Sequence, residues 1–343
     1  MRGLSWRPAR LSRPAGRVVV HIGRNKAGST TIQQYCLARR ERLLTEGVRY
    51  VLFGHMAGSV PGVDGFPYVP QLADHARRHA AETILVSNEF MFGWPFEYTE
   101  AMARDLAGLD VRILGYIRPY APWVRSCYAD EVWGGRLKQN FDAYLESLWP
   151  RISAWPFLRG FGECIGSRNV RVRGLDDALI RGPGLIGDFR LALGLGPDTE
   201  AVAPANVAAH WAVLEALRAL VPEESELGWP QPMEAAIEAL KPKLEACAVA
   251  HAAALAEPEF FTEDQATRLG KLYEEDVTRI ATAFGMPVSV VTQPPIRRST
   301  CPSWALLPAA FLWDAARSAS ADPLTAPLGG TLADMATALR RVT

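Results

Sequence analysis

The sequence predicts an α/β fold on a parallel sheet with a mainly helical second half, and three observations carry that expectation. Apolar, β-branched runs recur at 17–22, 48–53, 83–87 and 111–117. They are too continuous for strands with one wet face and suit strands covered on both. Helical segments alternate with them, as in βαβ units. Beyond Gly135 the strand signal nearly stops and helical stretches take over.

Each element has a local reason. The strand at 17–22 is closed by Gly23, and Ser29, Thr30 and Thr31 open a helix over 29–45. That helix has a partial apolar stripe of Ile32, Tyr35, Cys36, Leu43 and Leu44, and Gly47 stops it. A second strand is expected at 48–53. Residues 54–70 hold many Gly and Pro without periodicity and read as one long loop, a length at which loops are usually functional. Helix is expected at 71–80, strand at 83–87 ending in Asn88-Glu89, helix at 97–108, and strand at 111–117 ending in Arg118-Pro119. Pro122 suits the first turn of a helix that reaches Trp133. Helices follow at 140–149 and 155–164, a short strand at 169–173, then helices at 185–193, 205–220, 232–256 and 263–284. Pro242 is expected to kink or break the helix at 232–256. The Pro-, Ala- and Ser-rich end offers helices at 304–317 and 331–341. The resulting plan is a basic tail at 1–16, an α/β domain at 17–286 and a Pro/Ala-rich extension at 287–343.

Composition narrows the function classes. Of 343 residues 49% are hydrophobic, which marks a globular chain with a large core. Lys plus Arg equals Asp plus Glu at 37 each, so the chain is not basic overall and nucleic acid is not an expected partner. The first seventeen residues carry five arginines and no acid, but no apolar core of a secretory signal follows. No apolar run is long enough to span a bilayer. Cys36, Cys127, Cys164, Cys247 and Cys301 are odd in number, widely spaced and free of any Cys-x2-Cys pair, as expected of a reduced, cytoplasmic protein.

The chemistry concentrates at strand ends. After the first strand comes Gly23-Arg24-Asn25-Lys26-Ala27-Gly28-Ser29-Thr30-Thr31. A strand, a tight turn and a helix start aim free backbone N–H groups into the turn, a device that binds phosphate-like anions. The spacing approaches a Walker A loop, Gly-x4-Gly-Lys-Ser/Thr, with Gly23 and Gly28 in place. The lysine differs: Ser29 follows the second glycine, and Lys26 lies inside the loop. After the strand at 111–117, Arg118 is followed eight positions later by Ser126 on a helix. A guanidinium and a hydroxyl so placed suit one phosphate, the first by charge and fork geometry, the second by a hydrogen bond.

Together, in this order, these two motifs resemble those of sulfotransferases that use 3'-phosphoadenosine 5'-phosphosulfate (PAPS), and the bacterial carbohydrate-type members in particular. The resemblance covers residues 17–285 and is strongest in the two motifs. It implies a P-loop-type three-layer sandwich with a central parallel sheet. It also implies that Arg24, Asn25, Lys26, Ala27, Gly28, Ser29, Thr30 and Thr31 hold the 5'-phosphosulfate, that Arg118 and Ser126 hold the 3'-phosphate, and that Arg181 to Gly184 border the adenine. PAPS is then a co-substrate, no metal is needed, and the acceptor is a carbohydrate or another hydroxylated (or amino-bearing) small molecule. Ala27 stands where many members carry threonine, which removes a hydroxyl from the expected donor site.

Sulfuryl transfer resembles phosphoryl transfer, so positioning and charge stabilisation should dominate. Lys26 is the expected stabiliser of the leaving phosphate. A base for the acceptor hydroxyl is needed, and Glu89 is the first candidate because it follows a buried strand in a segment resembling one in bacterial members. His55, in the long loop, is the second. His21 reads as a core or strand-end residue, His210 and His251 as structural, and His75 and His79 as a solvated helix face despite their i,i+4 spacing. Trp94, Trp123 and Trp133 read as core residues able to stack on sugar rings. Two other classes stay open: a nucleotide kinase or NTPase, against which the displaced lysine speaks, and a non-catalytic nucleotide-binding protein.

Overall fold

The computed structural model describes residues 16–80, 82–175, 184–196, 198, 209–221, 231–255, 260–285 and 307–340. The basic tail up to residue 15, Arg181, Gly182, Pro183 and Cys301 lie outside the described residues. The chain divides into two units: one of residues 1–118, 154–205 and 276–291, the other of 119–153, 206–275 and 292–343.

The first unit holds a six-stranded, wholly parallel sheet. Its strands are β1 (Arg17–His21), β2 (Val48–Phe53), β3 (Gly65–Phe66), β4 (Thr83–Ser87), β5 (Asp110–Ile117) and β6 (Val170–Gly174), in the order β3-β2-β4-β1-β5-β6. β1 lies at the centre, with His21 opposite Ser87 of β4 on one side and Leu114 of β5 on the other. From β1 the chain runs toward β2 and β3; from β4 it returns past β1 to β5. Connections that leave neighbouring strands in opposite directions open a crevice at the strands' carboxyl ends.

The inner strands β2, β4, β1 and β5 are buried on both faces, which is why they are mainly apolar, whereas the edge strand β6 alternates and leaves Arg171 exposed. Val19, Tyr50, Leu85, Leu114 and Tyr116 pack in one cluster with Ile32, Tyr35 and Cys36 of α1 (Ser29–Ala38) and with Phe189. On the opposite face Gly115 approaches Ile22 and Leu158; a Cβ there would lie 3.6 Å from each. Each fully buried Val, Ile or Leu contributes about 1.5–3 kcal/mol, so the strands are held by their own composition. α7 (Trp155–Phe161), which carries Leu158, starts where the Asp276 carboxylate accepts hydrogen bonds from the N–H groups of Ala154 at 2.8 Å and Trp155 at 3.3 Å.

The second unit, among the described residues, is helical. α5 (Tyr120–Trp133) and α6 (Phe141–Leu148) bring Tyr128 and Phe141 together at 5.2 Å between ring centroids, and Phe260 and Phe261 each stand 5.1 Å from Phe141. Glu215 is buried yet satisfied: the Tyr128 hydroxyl donates to it at 2.6 Å and Arg218 at 2.8 Å. Trp123 is buried, and Trp133 lies under the Lys241 ammonium at 4.7 Å. His210 accepts from the Ala212 N–H at 3.2 Å as a helix cap, and His251 pairs with Asp314 at 2.8 Å.

Four local expectations change. The helix over 29–45 is split at Arg39 (φ −110°, ψ 18°) into α1 and α2 (Arg40–Thr45). The loop over 54–70 contains β3, which Leu52 and Phe53 recruit as an edge strand too short for any periodicity to reveal. Pro242 does not interrupt the helix Gln231–Ala250, where buried Ile237, Leu240 and Leu244 outweigh the lost backbone hydrogen bond. His75 is not solvated: it is 6% exposed, its ring packed at a tilt against Phe66 at 4.8 Å and His79 at 4.4 Å between centroids.

Candidate functional site

The crevice residues come from four adjacent strand ends: β2, β4, β1 and β5. Beyond β1, the Ala27 N–H closes a turn onto the Arg24 carbonyl at 3.0 Å. Lys26 then adopts left-handed backbone (φ 58°), as does Gly28 (φ 87°). A lysine held there stores about 1–2 kcal/mol of strain, which persists only where the surroundings impose it. Left-handed residues alternating along a loop are a feature of anion-binding turns, and here the Ala27 N–H between them is spent on closing the turn itself. A Cβ at Gly28 would sit 2.3 Å from Cδ2 of Leu185, so a side chain there would have to displace that leucine in addition to accepting the left-handed backbone.

α1 begins directly on this loop, and its N-cap position is Gly28, which has no side chain to cap it. The positive end of the helix dipole is thereby set at the loop. The Thr30 side chain is exposed and that of Thr31 half-buried, while the Ser29 hydroxyl is turned inward to donate to the Arg24 carbonyl at 3.4 Å. Ala27 is fully buried in the core cluster. Its methyl faces away from the loop, so a threonine hydroxyl at this position would be buried rather than offered to an anion. Arg24, 3% exposed, holds its guanidinium 5.7 Å from the centre of the Phe92 ring.

The second cation arrives from β5. Arg118, half-buried, donates from Nη1 to the Lys26 carbonyl at 3.5 Å, a long and weak bond that places its guanidinium beside the loop backbone. Ser126, half-buried on α5, belongs to the second unit.

On the other flank, the Asn88 N–H donates to the His21 carbonyl at 3.0 Å, the Asn88 side chain donates to the Phe53 carbonyl at 3.2 Å and accepts from the Phe90 N–H at 3.0 Å. One asparagine thus pins the ends of β1, β2 and β4 and sets the turn that starts at Glu89. Glu89 is half-buried and has no ion-pair partner among the described residues. His55 is exposed, its ring edge-on to Phe90 at 4.9 Å. The structure thereby brings Glu89 and His55 to neighbouring strand ends beside the loop.

His21 is fully buried, 2.8 Å from the Ser87 hydroxyl, and burial lowers its pKa from 6.5 to about 3. It stays neutral near pH 7. The sign follows directly: above pH 6.5 neither state protonates it, whereas between 6.5 and 3 only the unfolded chain does. Its contribution to stability is complete above 6.5 and shrinks as pH falls, by about 2 kcal/mol at pH 5. Burial lowers the pKa of His75 as well, in the same sense. Denaturant unfolding at pH 7 and pH 5 should show this loss, and a His21→Asn variant should show a flatter dependence; equal slopes would contradict it.

Sequence reasoning missed the residues that hold the loop from behind. Leu185 belongs to α8 (Gly184–Leu193), which is anchored by two buried charges. Asp188 pairs with Arg173 and accepts from the Tyr116 hydroxyl at 2.7 Å. Arg190, 1% exposed, donates to Glu46 at 2.9 Å and to the Tyr35 hydroxyl at 2.7 Å. The usable signal was a pair of opposite charges inside the apolar run Leu185–Leu193, since charges are rarely buried unless paired. No group of three or more His, Cys, Asp or Glu side chains that could hold a metal ion occurs among the described residues, and none of their helices is long and apolar enough to cross a membrane.

The chain matches no protein-family model and no curated protein. Among solved structures it is similar to a sulfotransferase from Alicyclobacillus acidocaldarius, with a TM-score of 0.43 and 13% identity over 81% of this chain and 98% of that one.

Proposed function

We propose that this chain is a sulfotransferase that moves the sulfuryl group of PAPS to a hydroxyl of a carbohydrate or small-molecule acceptor. The observation that carries the reading is the meeting of two cationic anion-binding elements at adjacent strand ends, Arg118 against the Lys26 carbonyl at 3.5 Å. A donor with phosphate groups at two positions needs two such elements. The glycine at the start of α1 and the left-handed backbone of Lys26 and Gly28 suit the 5' end of that donor. Arg118, with Ser126 from the sequence motif, serves the 3'-phosphate. Lys26 lies within the loop, where its ammonium neutralises charge on the departing 5'-phosphate.

In the transfer itself, the acceptor oxygen forms a bond to sulfur while the bond from sulfur to the 5'-phosphate oxygen breaks. The acceptor proton passes to Glu89, and 3'-phosphoadenosine 5'-phosphate (PAP) leaves. Glu89 is favoured over His55 because it is half-buried at the end of β4, next to β1, whereas His55 is exposed in the short helical turn that follows β2. A radiolabelled-donor assay against sugars, phenols and amines tests the reading; label should move to a hydroxylated acceptor, and no transfer to any would argue against it. In that assay Glu89→Gln should lower turnover roughly 100- to 10,000-fold, the usual range for a lost general base. Unchanged turnover would transfer the role to His55 or to the acceptor.

A further inference from the structure

A second concavity in the same unit lies beyond Phe92. It is a cleft of about 440 Å³ whose walls include Trp94, Phe96 and Phe157, with Gly160 at its base and Arg159 and Glu163 at its rim. That size falls within the usual range for small-molecule sites. The cleft is linked to the loop by touching groups: the Phe92 ring lies 5.7 Å from the Arg24 guanidinium on one side and 5.7 Å from the Phe157 ring on the other. The turn that begins at Glu89 runs directly into Trp94.

We propose that this cleft binds an uncharged, hydroxylated aromatic ring compound and that this is the acceptor subsite. Its role as acceptor subsite rests on the donor reading above; its affinity for such a ring does not. Three features select the ligand class. The walls are aromatic, and Trp94 is itself held edge-on to Tyr98 at 6.2 Å, offering a fixed flat surface. The two ionic side chains pair with each other at 3.4 Å, so the cleft presents no net charge to attract an anionic glycan. Beyond them its only side-chain hydrogen-bonding groups are the Trp94 indole N–H and Thr99, which is 2% exposed. Apart from the Arg159–Glu163 pair at the surface, the walls therefore offer flat rings and few hydrogen-bonding groups, which matches the face of a phenol more fully than that of a sugar, whose hydroxyls stand around the whole ring. Phe90, Phe96 and Tyr98 are 64%, 47% and 61% exposed, so apolar surface continues outward from the cleft.

Gly160 provides the test. A Cβ there would meet Cδ2 of Phe96 at 3.6 Å, an ordinary contact, so the position accepts a side chain at a point that lines the cleft and is not part of the anion loop. Saturation-transfer NMR on the full chain, with 4-ethylphenol and methyl α-glucopyranoside as probes, should detect the phenol and not the glucoside. Gly160→Leu should abolish the phenol signal. Phe96→Ser, at an exposed wall position that tolerates change, should weaken phenol binding roughly tenfold and covers the case in which Gly160→Leu does not fold. PAP titrated into the same samples should bind both variants as it binds wild type. Phenol binding indifferent to both substitutions, or glucoside binding of equal strength, would overturn the proposal. Phenol binding that follows the cleft variants while PAP fails to bind would leave the ring site standing and remove the donor reading instead.

Discussion

Lys26→Ala is expected to reduce sulfuryl transfer at least 100- to 1,000-fold, about 2.7–4 kcal/mol of lost transition-state stabilisation. The reason is that the ammonium acts where charge develops on the leaving oxygen, so its removal should depress kcat far more than it weakens donor binding. Backbone strain offers a competing explanation, because Lys26 sits at φ 58° and alanine would keep that strain without the charge. Lys26→Gly separates the two. Glycine adopts this conformation without penalty. If the amine matters, Lys26→Gly should be as inactive as Lys26→Ala; recovery of activity in the glycine variant would assign the defect to the loop's shape. Steady-state kinetics with saturating donor measures both.

Arg118→Ala should act on affinity instead. A guanidinium that grips a phosphate through charge-assisted hydrogen bonds is expected to contribute about 2.8 kcal/mol, a hundredfold in Kd for PAP. Adenosine 5'-monophosphate lacks the 3' group, so its affinity should be nearly unaffected. Arg118→Lys should restore part of the loss, since it keeps charge but not the fork. Calorimetric titration of both nucleotides into wild type and variants reads this directly. If Arg118→Ala weakened PAP and the monophosphate equally, Arg118 would be supporting the loop through the Lys26 carbonyl rather than holding a 3'-phosphate.

Much of this frame was legible in the residues. Val18–Val20, Tyr50–Phe53 and Ile113–Ile117 are apolar on successive positions because both faces of their strands are buried, and that pattern is visible without a structure. The strand order was not. Placing β4 between β1 and β2 is a choice among long-range pairings to which local periodicity is blind. The anion loop could be read because it depends on glycines and a helix start within nine residues. Its supports could not. Leu185 over Gly28 and Phe92 beneath Arg24 lie far along the chain, and each is an ordinary apolar residue until the fold juxtaposes it. Ala27 shows the reverse case: its type suggested a weakened donor site, whereas its burial makes it part of the core. The aromatic cleft was hidden for a similar reason, being assembled from the segments 94–99 and 156–163.

The central claim is that one crevice carries two anion cradles for a single doubly phosphorylated adenosine. The measurement closest to it is thermal unfolding of the full chain with PAP and, separately, with ATP and magnesium. At a hundredfold excess over Kd, PAP should stabilise the folded state by about 2.7 kcal/mol and raise the melting temperature by several degrees, with ATP and magnesium doing much less. An equal or larger shift with ATP and magnesium, or no shift with PAP, would contradict the account.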